Sequence, residues 1–383
     1  MTRMTVRRTL AGAAAAALSL VLSGCQDPAT GIFHHLAHQQ PTVDRNLAND
    51  ITIGGVARWG DRYLVAAGKL WSRAVGTDQS PPGEWTSMTV TFDGQSTSAV
   101  MLPFVRWRPD AGEPSLLAGA LFVDEERFAL LQADAGLITA NSVAWETVPG
   151  SAVSGREVIV LFTPDDDESV LFAVIAKSRG ENRSYRLLSA SRRSSGAPEF
   201  EVELDDLSHP VEAVATDGAG TYWAVAGSEL YTGSLGSLVI SDTAPSPEGS
   251  ETFRSVVHDG TGTLVLTGST GTVWRSRDGG ETWPDTHEIR ADDQAVPLRG
   301  AVAVSSTALV GTDDHGYYTA SLEGDLAVRR LPLTTEAIYH ASILRLWVDP
   351  RTDGVTVFAL TASDGLWSAS VKRGEVPERW ELE

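Results

Sequence analysis

Ser276-Arg277-Asp278-Gly279-Gly280-Glu281-Thr282-Trp283 sets two hydroxyls, a carboxylate, a glycine and an indole at the spacing Ser-x-Asp-x-Gly-x-Thr-Trp. Ser and Asp side chains accept hydrogen bonds from backbone N–H groups of their own turn, and Gly supplies positive φ without steric cost. Trp adds a large apolar body that a neighbouring strand can cover. The octapeptide predicts a self-stapled turn between two strands, with Ser276, Asp278, Gly280, Thr282 and Trp283 as its structural residues.

The strand entering this turn, Val273-Trp274-Arg275-Ser276, has counterparts in which an aromatic or aliphatic residue precedes small hydroxyl residues. These are Lys69-Leu70-Trp71-Ser72, Leu137-Ile138-Thr139, Leu187-Leu188-Ser189, Leu230-Tyr231-Thr232, Tyr317-Tyr318-Thr319 and Leu366-Trp367-Ser368. With Trp71, Ile138, Leu188, Tyr231, Trp274, Tyr318 and Trp367 as equivalent anchors, the intervals are 67, 50, 43, 43, 44 and 49 residues. Such a period belongs to four-stranded propeller blades. Short β-branched runs joined by Gly/Asp turns precede the anchors: Phe253 to His258 and Thr263 to Thr267, or Ala213 to Thr216 and Thr221 to Val225. No helical period is sustained after the leader. The fold expected is all-β, a seven-bladed β-propeller of four-stranded antiparallel blades, with six or eight blades as alternatives. The long first interval implies an insertion, placed near 91–115. Glu84 to Met88 precedes it as a fourth strand, and Phe92 to Trp107 extends that blade or lies over one face.

The octapeptide and the repeats resemble the Asp-box (BNR-repeat) β-propellers, which include sialidases, sortilin ectodomains and photosystem II assembly factors. The resemblance implies that the box clamps the third strand of a blade to the fourth, on the face away from the binding site. Sialidase chemistry would need three Arg around a carboxylate, a Tyr nucleophile with a Glu partner, and an Asp acid. The Arg-Ile-Pro signature of that family is absent; Ile51 to Arg58 occupies the corresponding region. Fold does not imply function, and no catalytic residue is assigned.

The chain opens with a leader. Arg3, Arg7 and Arg8 precede an apolar run from Leu10 to Leu22, closed by Leu22-Ser23-Gly24-Cys25. A basic n-region, a short h-region and small residues at the cut describe an export signal. The last four residues resemble a bacterial lipobox, which implies lipidation of Cys25, the one cysteine of the 383-residue chain. Acyl chains hold such a protein on a membrane without a spanning helix. Residues 1–24 are read as signal peptide, 25–50 as a tether with Pro28, Gly31 and Pro41, and 51–383 as the propeller. The expected location is the cell membrane, facing the periplasm or the cell exterior.

The formal net charge is −20, and loss of three leader arginines takes it to −23. That charge opposes nucleic acid and anionic lipid as partners. His34 and His38 have a ligand spacing, but they sit in the tether beside no acid of the metalloprotease pattern. Pro164 to Ser169 holds four acids out of calcium-loop register and reads as a solvated turn. No metal or cofactor is expected. Two groups are candidates for a ligand face. Asp313, Asp314 and His315 lie between the second and third strands of blade six. Trp107, flanked by Arg106 and Arg108, reaches that face if it enters the first strand of blade two, where it would stack on a sugar or an acidic peptide. The functional expectation is a membrane-anchored binding or assembly module engaging an extracytoplasmic protein or glycan. The alternatives are an anchored, sialidase-like glycoside hydrolase and a structural surface lipoprotein.

Overall fold

A computed structural model describes Leu47 and residues 53–383, apart from 68, 77–82, 93–94, 97–98, 109–112, 123–126, 151, 165–167, 178–182, 191–197, 331–337, 351–353, 363–364, 373–374 and 378–379. Cys25, the tether histidines His34 and His38, and Asp165 to Asp167 lie outside the described residues. Among those described, the strands form seven blades of a β-propeller, each built from consecutive antiparallel strands. The inner strands are Ile53–Trp59, Ala99–Trp107, Val158–Phe162, Val211–Thr216, Phe253–His258, Leu298–Val304 and Ile343–Pro350. A small hairpin, Arg290–Ala291 with Gln294–Ala295, sits between blades five and six. Helical backbone among the described residues is confined to a 3₁₀ turn at Ala135–Leu137 and to Ile338.

Side-chain alternation explains the packing. Leu171–Ala176, the second strand of blade three, is buried throughout because each face meets a neighbouring blade. Leu171, Ala173 and Ile175 join Trp107, Leu117 and Leu130 of blade two, while Phe172 and Val174 join Tyr222 and Ala224 of blade four. A period of two thus feeds two separate cores from one strand. Outer strands revert to a polar pattern, as in Glu201–Leu207.

Every inner strand carries a register shift, at its second residue in six blades (Gly54, Ile159, Glu212, Arg254, Arg299 and Leu344) and at its fifth, Pro103, in blade two. A bulge bends the strand and re-aims the extra residue. Six of the bulges, all but Ile159, ring one mouth of the central channel, five of them with side chains and Gly54 with backbone alone. That mouth is on the upper face, which carries the starts of the inner strands and the turns between second and third strands. The lower face carries the turns between first and second strands and between third and fourth.

The structure corrects the reading around blade two. Its third strand is Arg127–Asp134, and Ile138 lies beyond it in a single bridge to Val143. Phe128-Ala129-Leu130-Leu131 lacks the small hydroxyls that mark the other third strands, so Leu137-Ile138-Thr139 mimics the anchor. The insertion near 91–115 is also corrected. Thr89–Phe92 and Gln95–Ser96 add two strands to the outer edge of blade two, the first parallel to Ser142–Thr147. Ala99–Trp107 is the blade's own inner strand, and Ser115 starts its second.

Candidate functional site

The inner strands enclose a channel of about 420 Å³. Its lower end is cross-braced. The Tyr63 hydroxyl donates to Asp349 at 2.7 Å, and Arg58 approaches the same carboxylate at 3.5 Å, joining blades one and seven. Arg106 pairs with Glu168 at 2.9 Å and donates to the Arg58 carbonyl at 3.0 Å. The guanidinium of Arg106 is therefore engaged in bracing neighbouring blades.

The upper mouth is different, with charge on one arc and apolar side chains on the other. Consecutive bulges supply Glu212, Arg254 and Arg299, and Arg345 follows the bulge of blade seven. Arg254 meets Glu212 through one contact of 3.4 Å. Arg299 holds Asp313 by two contacts of 2.7 and 2.6 Å, and the Ser342 hydroxyl donates to the same carboxylate at 2.6 Å. Burial raises the Asp313 carboxyl, but the hydrogen bonds from Arg299 and Ser342 outweigh it and hold the group below the usual carboxylate range. Arg345 is exposed at the mouth, yet desolvation by the channel around it lowers its guanidinium, and the Glu212 charge partly offsets this. Leu344, 39% exposed, and Pro103 line the apolar arc.

Of the residues singled out in the sequence, Asp313 belongs to this mouth. Asp314 stands in the same turn at φ +59°, exposed, and the His315 ring contacts the Asp313 carbonyl at 3.0 Å. The reading of Trp107 as an upper-face residue is corrected. It ends an inner strand instead of starting one, so it lies at the lower face, 2% exposed, donating to the Ser169 carbonyl at 3.3 Å. The Arg108 side chain is exposed, and its backbone N–H donates to the Glu168 carbonyl at 2.9 Å. Glu212, Arg254, Arg299 and Arg345 were not singled out. Their signal is a charged residue one or two places after the buried apolar residue that starts an inner strand, recurring in blades four to seven. Among the described residues no three His, Cys, Asp or Glu side chains converge to hold a metal.

The octapeptide lies between the third and fourth strands of blade five, on the lower face. The Thr282 N–H and hydroxyl donate to Asp278 at 2.9 and 2.6 Å, and the Ser276 hydroxyl donates to it at 2.7 Å. Ser276 in turn accepts from the Gly280 N–H at 2.8 Å, with Gly280 at φ +94°. Trp283 is half-buried against the core of blades four and five, not fully buried as its apolar bulk suggests. The Thr282 hydroxyl, the Ser276 hydroxyl and the Thr282 N–H hold the Asp278 carboxyl down at about 2. Because this value lies below that of the unfolded chain, the contribution to stability is complete above pH about 4 and is lost as the pH falls towards 2. Asp278→Ala is expected to lower stability by about 1–2 kcal/mol at neutral pH. In urea titrations the difference from wild type should narrow below pH about 4; a difference independent of pH would contradict the carboxylate's role.

No family model and no curated protein matches the chain. Among solved structures, YCF48 from Cyanidioschyzon merolae is similar at 12% identity with a TM-score of 0.55, covering 88% of this chain and 100% of that one. A chain of the Mitotic Checkpoint Complex is similar at 12% identity with a TM-score of 0.58, covering 88% of this chain and 95% of that one. At such identity the likeness concerns the fold, a seven-bladed β-propeller, and it agrees with the arrangement of the seven sheets.

Proposed function

We propose that this protein is a lipid-anchored binding or assembly module outside the cytoplasm, which receives a segment of a partner protein at the upper mouth of its channel. The upper mouth carries the proposal: a recessed ring with a charged arc beside an apolar arc, on the face opposite the octapeptide turn. A recessed site with a few convergent polar groups is the ordinary form of a binding pocket. The presence of YCF48 and a checkpoint-complex chain among the similar propellers supports a protein partner. The octapeptide acts in this reading as an Asp-box clamp, remote from the partner. The lower end of the channel, braced by Tyr63, Asp349, Arg106 and Glu168, is closed to it.

A glycoside hydrolase of sialidase type needs a tyrosine beside a glutamate at the arginines. Among the described residues lining the channel the tyrosine is Tyr63, at the opposite end and bonded to Asp349. This favours binding over turnover.

Two experiments test the proposal. A photo-crosslinking residue at Leu344 is expected to give adducts with a partner in intact cells, and one at Thr282 is not. Equal labelling from both faces, or turnover of fluorogenic glycosides abolished in Arg254→Gln, would overturn it. For the anchor, Cys25→Ala is expected to move the protein from the detergent phase to the aqueous phase of a partition assay. Retention in the detergent phase would remove lipid from the account.

A further inference from the structure

Resting on the reading of the upper mouth as a partner site, we infer that it takes a carboxylate of the partner between Arg254 and Arg345, and that Glu212 is the internal counter-ion this carboxylate displaces. The two ion pairs of the mouth are unequal. Arg299 and Asp313 form a closed, two-point pair further held by Ser342, whereas Arg254 touches Glu212 through a single nitrogen at 3.4 Å. The Arg254 Nε is buried with no hydrogen-bond partner among the described residues. Arg345 makes no side-chain hydrogen bond or ion pair among them, although the Glu212 charge reaches it. The ring thus holds three guanidiniums against two carboxylates, with the surplus on the side where pairing is loosest.

A guanidinium presents parallel donors that match a carboxylate at two points, so an incoming carboxylate can satisfy Arg254 and Arg345 better than Glu212 does. The neighbouring Leu344 and Pro103 suit a peptide with aliphatic groups beside its acid, and they offer nothing to a hydrated phosphate. The net charge of −20 does not forbid such a ligand. Charges beyond a Debye length of about 8–10 Å are largely screened, so the local surplus at the mouth decides. Glu212 then acts as a filter. A neutral segment cannot replace it, and it re-pairs with Arg254 when the ligand leaves, which keeps binding reversible.

Calorimetric titration of the purified full-length protein tests this with an unlabelled hexapeptide of alternating glutamate and leucine, its C-terminally amidated form, and an amidated glutamine counterpart that carries no carboxylate. The glutamate peptide is expected to bind and the glutamine peptide is not. Arg345→Gln should weaken binding at least about tenfold, and Glu212→Gln should tighten it about fivefold. Arg254→Gln replaces Arg345→Gln if that variant melts early, and Asp278→Ala, on the far face, should match wild type. Unchanged binding of the amidated glutamate peptide identifies side-chain carboxylates as the ligand, and its loss identifies the terminal carboxylate; both support the inference. Weaker or equal binding in Glu212→Gln, with Arg345→Gln impaired, overturns displacement and leaves the mouth as the site. Equal binding of the glutamine peptide, or no binding of either peptide while Leu344 still crosslinks to a partner, overturns the carboxylate inference and spares the proposed function.

Discussion

Glu383→Ala is expected to lower the free energy of unfolding by about 3–5 kcal/mol, the usual cost of stranding one member of a buried ion pair. The ring has no strand shared between blades one and seven, so side chains close it. Glu383 is fully buried, and its carboxylate lies 2.7 Å from the Arg73 Nε. It also accepts from the Arg73 Nη2 at 2.7 Å, from the Trp85 indole at 2.9 Å and from the Ser368 hydroxyl. Arg73, 3% exposed, lies over the rings of Tyr63 and Trp85 at 5.1 and 5.2 Å. Removing the carboxylate takes two short contacts from a desolvated guanidinium and one from the Trp85 indole, groups that water reaches only if the seam opens. The pair's net worth is smaller than either truncation suggests, because both charges are desolvated on folding. Arg73→Leu with Glu383→Leu should therefore recover much of the loss, a coupling that a double-mutant cycle in urea reads directly. Single variants within about 0.5 kcal/mol of wild type would show that the seam does not depend on this clasp.

Blade five is the most legible part of the chain because its signals are local. Apolar alternation marks Phe253–His258 and Leu264–Gly268, Asp259 and Gly260 mark the turn between them, and the octapeptide marks the next turn. Blade two is the least legible. Its third strand lacks hydroxyls, and a parallel strand joins its outer edge, a pairing between segments about fifty residues apart that no short pattern announces. Trp107 shows how strand polarity decides a site. The same Arg-Trp-Arg triplet faces the ligand if it begins an inner strand and the opposite side if it ends one. The mouth arginines were hidden for a related reason. Arg254, Arg299 and Arg345 are unremarkable singly, and they meet only because the first two sit on bulges, and the third directly after one, at one level of successive inner strands.

Arg275→Leu is expected to lower stability by about 2–4 kcal/mol through loss of a buried junction between blades five and six. The Arg275 side chain is fully buried. It donates to Asp285 from two nitrogens at 3.0 and 2.6 Å, and crosses to the next blade to reach the carbonyls of Ser321 at 2.9 Å and Gly324 at 2.8 Å. Ser321 ends the third strand of blade six and Gly324 lies in the turn after it, so one planar side chain fastens a strand end and turn of its neighbour. Other junctions use the same device with different chemistry. Glu203 of blade three accepts from the Gly236 N–H of blade four at 2.7 Å, and the Tyr317 hydroxyl of blade six donates to the Pro377 carbonyl of blade seven at 2.5 Å. Leucine at 275 would desolvate the carbonyls without replacing the donors, and Asp285 would keep only Arg277, 3.0 Å away and half-exposed. Lysine has charge but no fork, so Arg275→Lys should recover less than half of the loss. Urea titrations of both variants check this. A leucine variant as stable as wild type would mean that water already serves those carbonyls, and that blades five and six are held by their apolar core, with Val265 and Val273 against Val310 and Ala320.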